Sequence, residues 1–228
     1  MKVFELYPGS RTIEIDPATT SVNTASIWYP KIQGVRFNFV ASAREKQTET
    51  SDQSTNALDR FFLKLIRSAS DLIITTGKTA RAETLQSSKF APLAILTKHP
   101  NELDIPATSV NSSLAVLICS SFALTRKYAN ENLQYIFVES LDSAEVIQEI
   151  INTVGSKETL LEVGASTASS LAERNFLDEI CLSVTGSNSR QEATSFAELF
   201  LTDLKVRSKI IQLLASEDIF LFRYQVLK

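Results

Sequence analysis

The chain has 228 residues, of which 44% are hydrophobic and 21% charged, and its mean hydropathy is close to zero. This composition excludes a disordered or collagen-like chain, and the length suffices for one large domain with a full core or for two small ones. The 23 basic residues are interleaved with 26 acidic ones, giving a net charge of −3. Binding to a phosphate backbone needs clustered Lys and Arg, so nucleic acid is excluded as a partner.

The apolar runs are too short for a membrane protein. The longest nearly apolar stretches, 113–121 and 134–138, fall far short of the ~20 residues that a bilayer-spanning helix needs. The first 25 residues are polar and contain no apolar segment like that of a secretory signal. We therefore expect a cytoplasmic protein with no membrane partner.

The cysteine and histidine content limits the chemistry. Cys119 and Cys181 lie in apolar segments, which predicts buried free thiols. With one histidine and no Cys-x-x-Cys pair, a structural zinc site cannot be assembled, and we expect no metal. His99 lies between Lys98 and Pro100, in a predicted exposed loop. A Ser-His-Asp hydrolase is not supported, because the chain has no Gly-x-Ser-x-Gly motif.

The order of apolar runs along the chain predicts an α/β protein. Residues 1–34 mix turn formers with short apolar pieces, which predicts an irregular N-terminal extension packed on a single domain, 35–228. Continuous apolar runs indicate strands covered on both faces of a mixed, mostly parallel central sheet flanked by helices. Strands are predicted at 35–41, 71–76, 92–97, 114–119, 134–139, 159–163, 179–185 and 219–227.

Three helices are predicted between these strands. The first, 55–69, has an apolar stripe at i, i+3, i+4, i+7 and i+8, formed by Leu58, Phe61, Phe62, Leu65 and Ile66. The second follows the capping-box analogue Asp142-Ser-Ala-Glu145 and ends at Gly155, which can adopt the left-handed conformation. The third, 165–175, starts directly after Gly164. In open α/β folds ligands collect at the carboxyl edge of the sheet, where we expect the site.

Gly164 is the first candidate binding position. A predicted strand ends at Val163, and the next helix begins with hydroxyl-bearing residues, namely Ser166, Thr167, Ser169 and Ser170. Free backbone N–H groups and the positive end of the helix dipole favour a phosphate there. The alternative is a capped helix with nothing bound, since Ser and Thr are favoured in such positions anyway.

Gly77 is the second candidate, because it also follows an apolar strand. The Gly-Lys-Thr at 77–79 lacks the spacing of a P-loop, so a nucleotide triphosphatase is not supported. The favoured interpretation is a strand-to-loop connection with solvated Lys78, Arg81 and Glu83 side chains. Arg67 ends the first helix, where a cation complements the helix C-terminus.

Taken in order, these segments resemble the pyrimidine reductase family of riboflavin biosynthesis. That family is the reductase half of the bifunctional deaminase-reductase and has a dihydrofolate-reductase-like fold. The resemblance covers about residues 35–227, and no zinc signature of a deaminase half is present. It is carried by Val35-Arg-Phe-Asn-Phe-Val-Ala-Ser42, Ser51, Arg67-Ser-Ala-Ser-Asp71, Gly77-x-Thr79-x-Arg81-x-Glu83, Pro92-Leu-Ala-Ile-Leu-Thr97, Glu162-Val-Gly164, Leu177-Asp-Glu-Ile180 and Leu221-Phe-Arg-Tyr224.

The resemblance implies an activity and a set of site residues. It implies NADPH-dependent reduction of a phosphoribosylamino-pyrimidine, with hydride delivered to C1′ of the ring-opened ribose, as in a 5-amino-6-(5-phosphoribosylamino)uracil reductase. The matching substrate positions are Ser51, Arg67 and Glu162, and no catalytic residue is assigned. The matching cofactor positions are Val40, Thr79, Glu83, Gly164, Ala165, Ser166, Thr167, Ala168, Ser169 and Ser170.

Several positions depart from the family pattern. Ser-x-Asp-Gly after the first strand is here Ser42-Ala43-Arg44-Glu45, Glu-Gly-Gly is Glu162-Val163-Gly164, and an aromatic often found after Ser51 is Gln53. These departures keep two alternatives open, namely a catalytically degenerate reductase-fold protein with a binding or structural role, and a reductase of a different small substrate. A generic α/β binding protein outside the family is a third.

Family members are commonly homodimers, so the resemblance also admits a second copy of the chain as partner. Four large apolar residues between 195 and 202 offer more apolar surface than one face of a sheet is expected to bury, although core packing is the favoured explanation for them. They are Phe196, Leu199, Phe200 and Leu201.

Overall fold

A computed structural model describes eleven stretches of the chain. They are residues 2–16, 20–21, 30, 32–44, 57–82, 89–103, 116–122, 133–139, 141, 144–216 and 219–228. The strands are β1 Lys2–Tyr7, β2 Arg11–Glu14, β3 Gly34–Ser42, β4 Leu72–Thr76, β5 Leu93–Leu96, β6 Val116–Ser120, β7 Leu133–Phe137, β8 Glu158–Glu162, β9 Glu179–Thr185, β10 Ser208–Ser216 and β11 Ile219–Val226. The helices are α1 Ala57–Ser68, α2 Gly77–Ala82, α3 Ala144–Val154, α4 Ala165–Glu173 and α5 Arg190–Asp203, with a 3₁₀ turn at Pro100–Glu102.

The strands form one mixed sheet in the order β2-β1-β10-β11-β9-β3-β8-β4-β5-β6-β7. From β9 to β7 neighbouring strands are parallel, whereas the β9–β11, β11–β10, β10–β1 and β1–β2 pairs are antiparallel. Apolar clusters cover both faces of this sheet: α1 packs on one face, and α3, α4 and α5 pack on the other. The predicted mixed, mostly parallel sheet flanked by helices is thus confirmed.

Most predicted elements lie where the apolar pattern placed them. Strand β9 has the predicted bounds, and helix α1 buries all five residues of its predicted stripe against the sheet. Gly155 ends α3 in the left-handed conformation with φ +71°, and the backbone N–H of Ser156 donates to the carbonyl of Ile151. Residues 142–143 of the predicted capping box lie outside the described residues.

The prediction of an irregular extension over residues 1–34 is wrong for two segments. Strand β1 pairs with β10 and β2 pairs with β1, so both add to the sheet. The sequence does not show the apolar alternation of a strand at β1, because Glu5 occupies an inward position. Arg11 and Gln212 both contact its carboxylate there. The domain boundary at residue 34 stays a prediction.

Helix α5 explains the apolar residues between 195 and 202. Phe200 and Leu201 are buried in the cluster on that face of the sheet, and Phe196 packs partly against it. Leu199 points outward and is 61% exposed. Core packing accounts for three of the four residues, and a homodimer stays a prediction.

A buried ion network ties three central strands together at the amino end of β3. Glu179 on β9 accepts hydrogen bonds from Arg36 Nε on β3 (2.6 Å) and from Arg223 Nη2 on β11 (2.7 Å). Arg36 Nη2 also donates to the carbonyl of Pro30, which fixes the chain just before β3. All three charged side chains are buried, so each depends on the others for the polar contacts that water would otherwise supply.

Both cysteines are buried free thiols, as predicted. Burial raises the pKa of the Cys119 thiol to about 12 and raises that of Cys181 as well. Neither is a reactive nucleophile, because the thiolate is the reactive form. The side chain of His99 is exposed as predicted and lies 3.4 Å from Glu102.

Candidate functional site

The start of α4 offers uncapped backbone amides at the carboxyl end of β8. Gly164 is the N-cap residue in an extended conformation, no side chain caps the helix, and its first turn contains no acidic residue. A Cβ built on Gly164 meets no atom within 4 Å, so this backbone is accessible from outside. An anion reaching this point would meet donors and the positive end of the helix dipole, without a competing carboxylate in that turn.

The predicted cofactor residues of α4 differ in what they can present. Ala168 is buried in the core, so only its backbone is available, whereas Ser166 and Ser170 are exposed. The Ser170 hydroxyl donates back to the carbonyl of Ser166 (3.4 Å). Val163, at the position where the family usually has glycine, is also buried in the core on the α4 face. Its side chain therefore does not obstruct the start of the helix.

Gly77 begins the short helix α2, which replaces the predicted strand-to-loop connection. A Cβ on Gly77 would lie 2.7 Å from Cβ of Thr97, directly after β5, and still closer to the Thr97 hydroxyl, so this is a close approach that requires glycine. The hydroxyls of Thr76 and Thr79 are 3.2 Å apart, and the backbone N–H of Thr79 lies 3.4 Å from the Thr76 hydroxyl. Glu83 lies outside the described residues.

The structure brings Arg67 and Glu162 together. Nε and Nη2 of Arg67, in the last turn of α1, donate to the two carboxylate oxygens of Glu162 at the end of β8, at 2.7 and 2.5 Å. Such a two-point contact fixes the orientation of both groups. Arg67 thus does more than complement the end of its helix. Ser51, the third predicted substrate residue, lies outside the described residues.

Val40 lies on β3, which is located between β9 and the strand β8 that carries Glu162. It pairs with Ser183 of β9 and is half-buried. Beyond the end of β3, Arg44 donates to the carbonyl of Gly186 (2.9 Å) and to Oδ1 of Asn188 (3.0 Å). The basic residue that departs from the family pattern is therefore anchored on the loop after β9.

A buried acid on α1 was not singled out from the sequence. Asp59, in the first turn of α1, accepts a 2.6 Å hydrogen bond from the hydroxyl of Ser183 on β9. Burial raises the pKa of the Asp59 carboxyl, and the contacts with Ser183 and Arg60 offset only part of that shift. The sequence signal that could have found it is the position of Asp59 on the apolar stripe of an amphipathic helix, three residues before Phe62 and seven before Ile66.

Metal and membrane features are absent from the part of the chain that the structure describes. No group of three or more His, Cys, Asp or Glu side chains there is placed to hold a metal ion. Among the described helices, none has the length and apolar character needed to span a bilayer.

The sheet order and the helix placement define a dihydrofolate-reductase-like α/β protein. The family model of the RibD C-terminal domain matches residues 40–186, which is more than half of the chain. The chain belongs to this family. A comparison with curated protein sequences finds no significant match.

Solved structures that share this fold include a reductase-like protein and reductases of low sequence identity. A pyrimidine reductase-like protein from Corynebacterium diphtheriae is 15% identical, with a TM-score of 0.64 over 92% of this chain and 96% of that one. The Thermotoga maritima diaminohydroxyphosphoribosylaminopyrimidine deaminase/5-amino-6-(5-phosphoribosylamino)uracil reductase is 14% identical, with a TM-score of 0.64 over 90% of this chain. The match spans 59% of that bifunctional protein.

A yeast enzyme shares the fold at still lower identity. The riboflavin biosynthesis reductase Rib7 from Saccharomyces cerevisiae is 7% identical, with a TM-score of 0.60 over 86% of this chain and 90% of that one. At these identities the likeness concerns the fold alone.

Proposed function

We propose that the chain is an NADPH-dependent reductase of a phosphoribosylamino-pyrimidine. The observation that carries the proposal is the uncapped start of α4 at Gly164, where backbone amides meet the carboxyl end of β8. A dinucleotide needs such donors for its diphosphate, and an acid-free first turn of a nine-residue helix suits that charge. Membership in the RibD C-terminal domain family and the reductase fold support the same activity.

In this proposal the chain would hold the cofactor at three places. The amides from Ala165 to Thr167 would hold the diphosphate, and the half-buried backbone of Val40 would face the nicotinamide. Thr79, at the start of α2, and Glu83 are proposed to contact the remainder of the cofactor. When bound, NADPH supplies the hydride that reduces the imine carbon C1′ of the opened ribose.

The substrate side of the proposed site contains the Arg67–Glu162 pair. Two guanidinium nitrogens hold the carboxylate of Glu162 in one orientation, so that it presents fixed acceptors to substrate hydroxyl or N–H groups. The guanidinium of Arg67 would also suit a substrate phosphate or a pyrimidine carbonyl. Orientation of two bound partners is the main contribution that a protein makes to such a transfer.

Titration of the purified chain with NADPH by calorimetry tests the cofactor half of the proposal. Wild type should bind, and Gly164→Asp should abolish binding through steric and charge conflict with the diphosphate. Asp is a favoured N-cap residue, so this variant keeps the helix. The matched control Gln191→Asp adds the same charge near the start of α5 and should bind NADPH like wild type. Absence of NADPH and NADP binding at millimolar concentration refutes the proposal.

Rescue of a riboflavin auxotroph that lacks its pyrimidine reductase separates the remaining alternatives. Growth supports the proposed substrate and excludes a catalytically silent reductase-fold protein. NADPH binding without rescue contradicts the proposed substrate and leaves a reductase of a different small substrate or a silent nucleotide-binding protein. The Gly164→Asp variant should fail to rescue, because the hydride donor would no longer bind.

A further inference from the structure

Arg44 is a fixed cation just beyond the end of β3. Its Nε donates to the carbonyl of Gly186 (2.9 Å), and its Nη2 donates to Oδ1 of Asn188 (3.0 Å). A Cβ built on Gly186 would lie 3.2 Å from Cγ of Arg44, so the arginine stem packs directly over this glycine. These contacts fix the place of the guanidinium, although the residue itself is exposed.

The loop that holds Arg44 is itself braced by helix α5. The backbone N–H of Asn188 donates to Oε2 of Glu192 (2.7 Å), and the Ser187 hydroxyl donates to the same oxygen (3.3 Å). Ser189 caps the helix by accepting from the backbone N–H of Glu192. Asn188 therefore offers its amide oxygen to Arg44 from a fixed position, and the guanidinium does not have to be ordered when a ligand binds.

The charge of Arg44 differs from that of other arginines because no acid accompanies it. Several arginine side chains elsewhere in the described residues pair with a carboxylate, namely Arg11, Arg36, Arg67, Arg174 and Arg223. Both partners of Arg44 are neutral oxygens, and no carboxylate contacts it in the part of the chain that the structure describes. A guanidinium has only donors, so its remaining N–H groups are available to an anionic ligand.

Arg44 lies on the other side of β3 from the proposed diphosphate contacts. The start of α4 follows β8, whereas the loop that holds Arg44 follows β9, and β3 lies between these two strands. Ser42, at the end of β3, lies two residues beyond Val40 in the pairing with β9. The end of β3 is thus ~7 Å beyond Val40 along the strand. An acyclic five-carbon chain that starts beside Val40 can therefore reach the rim that Arg44 occupies.

We propose that Arg44, held by Asn188, binds the terminal phosphate of the ring-opened substrate. This inference rests on the proposed function and names the group that selects a phosphorylated substrate. The phosphate and C1′, which receives the hydride, lie at opposite ends of the opened ribose, so they match the positions of Arg44 and Val40. A guanidinium binds a phosphate through two parallel hydrogen bonds. Arg44 is then a specificity residue, and Asn188 is a positioning residue.

The charge balance of the site favours Arg44 over Arg67 for this role. Both oxygens of the Glu162 carboxylate contact Arg67, so the positive charge of Arg67 is balanced within the chain. A phosphate approaching Arg67 would also meet the negative charge of Glu162, whereas a neutral pyrimidine carbonyl would not be repelled. The phosphate is thus assigned to Arg44, and a carbonyl of the ring to Arg67.

Calorimetric titration with ribitol 5-phosphate and with ribitol, each in the presence of saturating NADPH, tests the inference. The two probes differ only in the phosphate, and both have an acyclic five-carbon chain. Wild type should bind ribitol 5-phosphate about tenfold more tightly than ribitol, or better, because the phosphate adds charge-assisted hydrogen bonds. NADPH affinity, measured separately, reports on the proposed function alone.

Substitutions assign the phosphate preference to Arg44. Arg44→Gln should reduce the preference to about twofold or less, and Arg44→Lys should recover part of it, since lysine restores the charge without the planar fork. Asn188→Ala should weaken ribitol 5-phosphate binding several-fold, because it releases the guanidinium. The control Arg174→Gln removes an exposed arginine at the C-terminal end of α4 and should keep the wild-type preference.

The outcomes separate the inference from the proposed function. If wild type binds NADPH but shows no preference for ribitol 5-phosphate, the inference is wrong and the cofactor half of the proposed function stands. The inference is also wrong if Arg44→Gln, folded by its thermal transition, keeps the preference. Loss of NADPH affinity in Arg44→Gln would assign Arg44 to a phosphate of the cofactor and overturn the inference as well. If NADPH does not bind to wild type, the proposed function fails and the inference fails with it.

Discussion

Substitution of Glu179 by glutamine tests the buried ion network most directly. The carboxylate joins Arg36 and Arg223 through two charge-assisted hydrogen bonds, and all three side chains are shielded from water. Glutamine retains one acceptor oxygen, but its amide nitrogen then faces a guanidinium that has only donors. The two buried guanidinium groups lose the negative charge that they share. Breaking a buried pair in this way costs about 3–5 kcal/mol of the free energy of unfolding.

A loss of this size in the free energy of unfolding is measurable by thermal denaturation. For a chain of this length, 1 kcal/mol corresponds to roughly 2–4 °C in Tm, so Glu179→Gln should lower Tm by about 6–20 °C. The matched control is Glu173→Gln, which removes the exposed ion pair with Lys205 and should leave Tm unchanged. Equal Tm values for the two variants would show that the network contributes no more than a surface pair, contrary to the reasoning.

Three further predictions concern local features of the fold. Gly77→Ala should lower the free energy of unfolding in urea by about 1–3 kcal/mol, because the new Cβ would clash with Thr97. Gly164→Ala should lower it by less, since a Cβ there meets no atom. Equal losses for the two variants would contradict the close approach at Gly77. Cys119 and Cys181 should not react with a thiol reagent at pH 8 until the chain is unfolded, and native labelling would contradict their burial. The raised pKa of Asp59 means that its contribution to stability is full below the ordinary value of 3.8 and is lost as the pH rises through the raised value. Asp59→Asn should therefore gain stability relative to wild type as the pH rises from 4 to 8, and a constant difference in urea midpoints would contradict the shift.

The parts of the fold that local pattern determines were predictable. Strand β9 is a continuous apolar run because it is buried within the sheet, and α1 has a regular apolar stripe because one of its faces packs on the sheet. Both elements lie where the sequence indicates. Helix α5 also has a local signal, since Ser189 and Glu192 have the spacing of a capping box. The backbone N–H of Glu192 donates to the Ser189 hydroxyl, and the Glu192 carboxylate accepts from the backbone N–H of Asn188.

Other parts depend on partners that are distant in the chain. Strand β1 turns Glu5 inward, which breaks the apolar alternation, and its contact with Gln212 spans 207 residues. Asp59 and Ser183 are 124 residues apart, so neither residue indicates the other without the fold. Arg67 and Glu162 were selected together only through the family resemblance, because their spacing carries no local pattern.

The inward orientation of Val163 bears on how such chains are recognised. A search pattern that demands two consecutive glycines at this turn would discard the sequence, although the first of the two positions packs into the interior and only the second borders the outside. Sequence signatures for this turn are better written with a small or branched apolar residue allowed at the inner position.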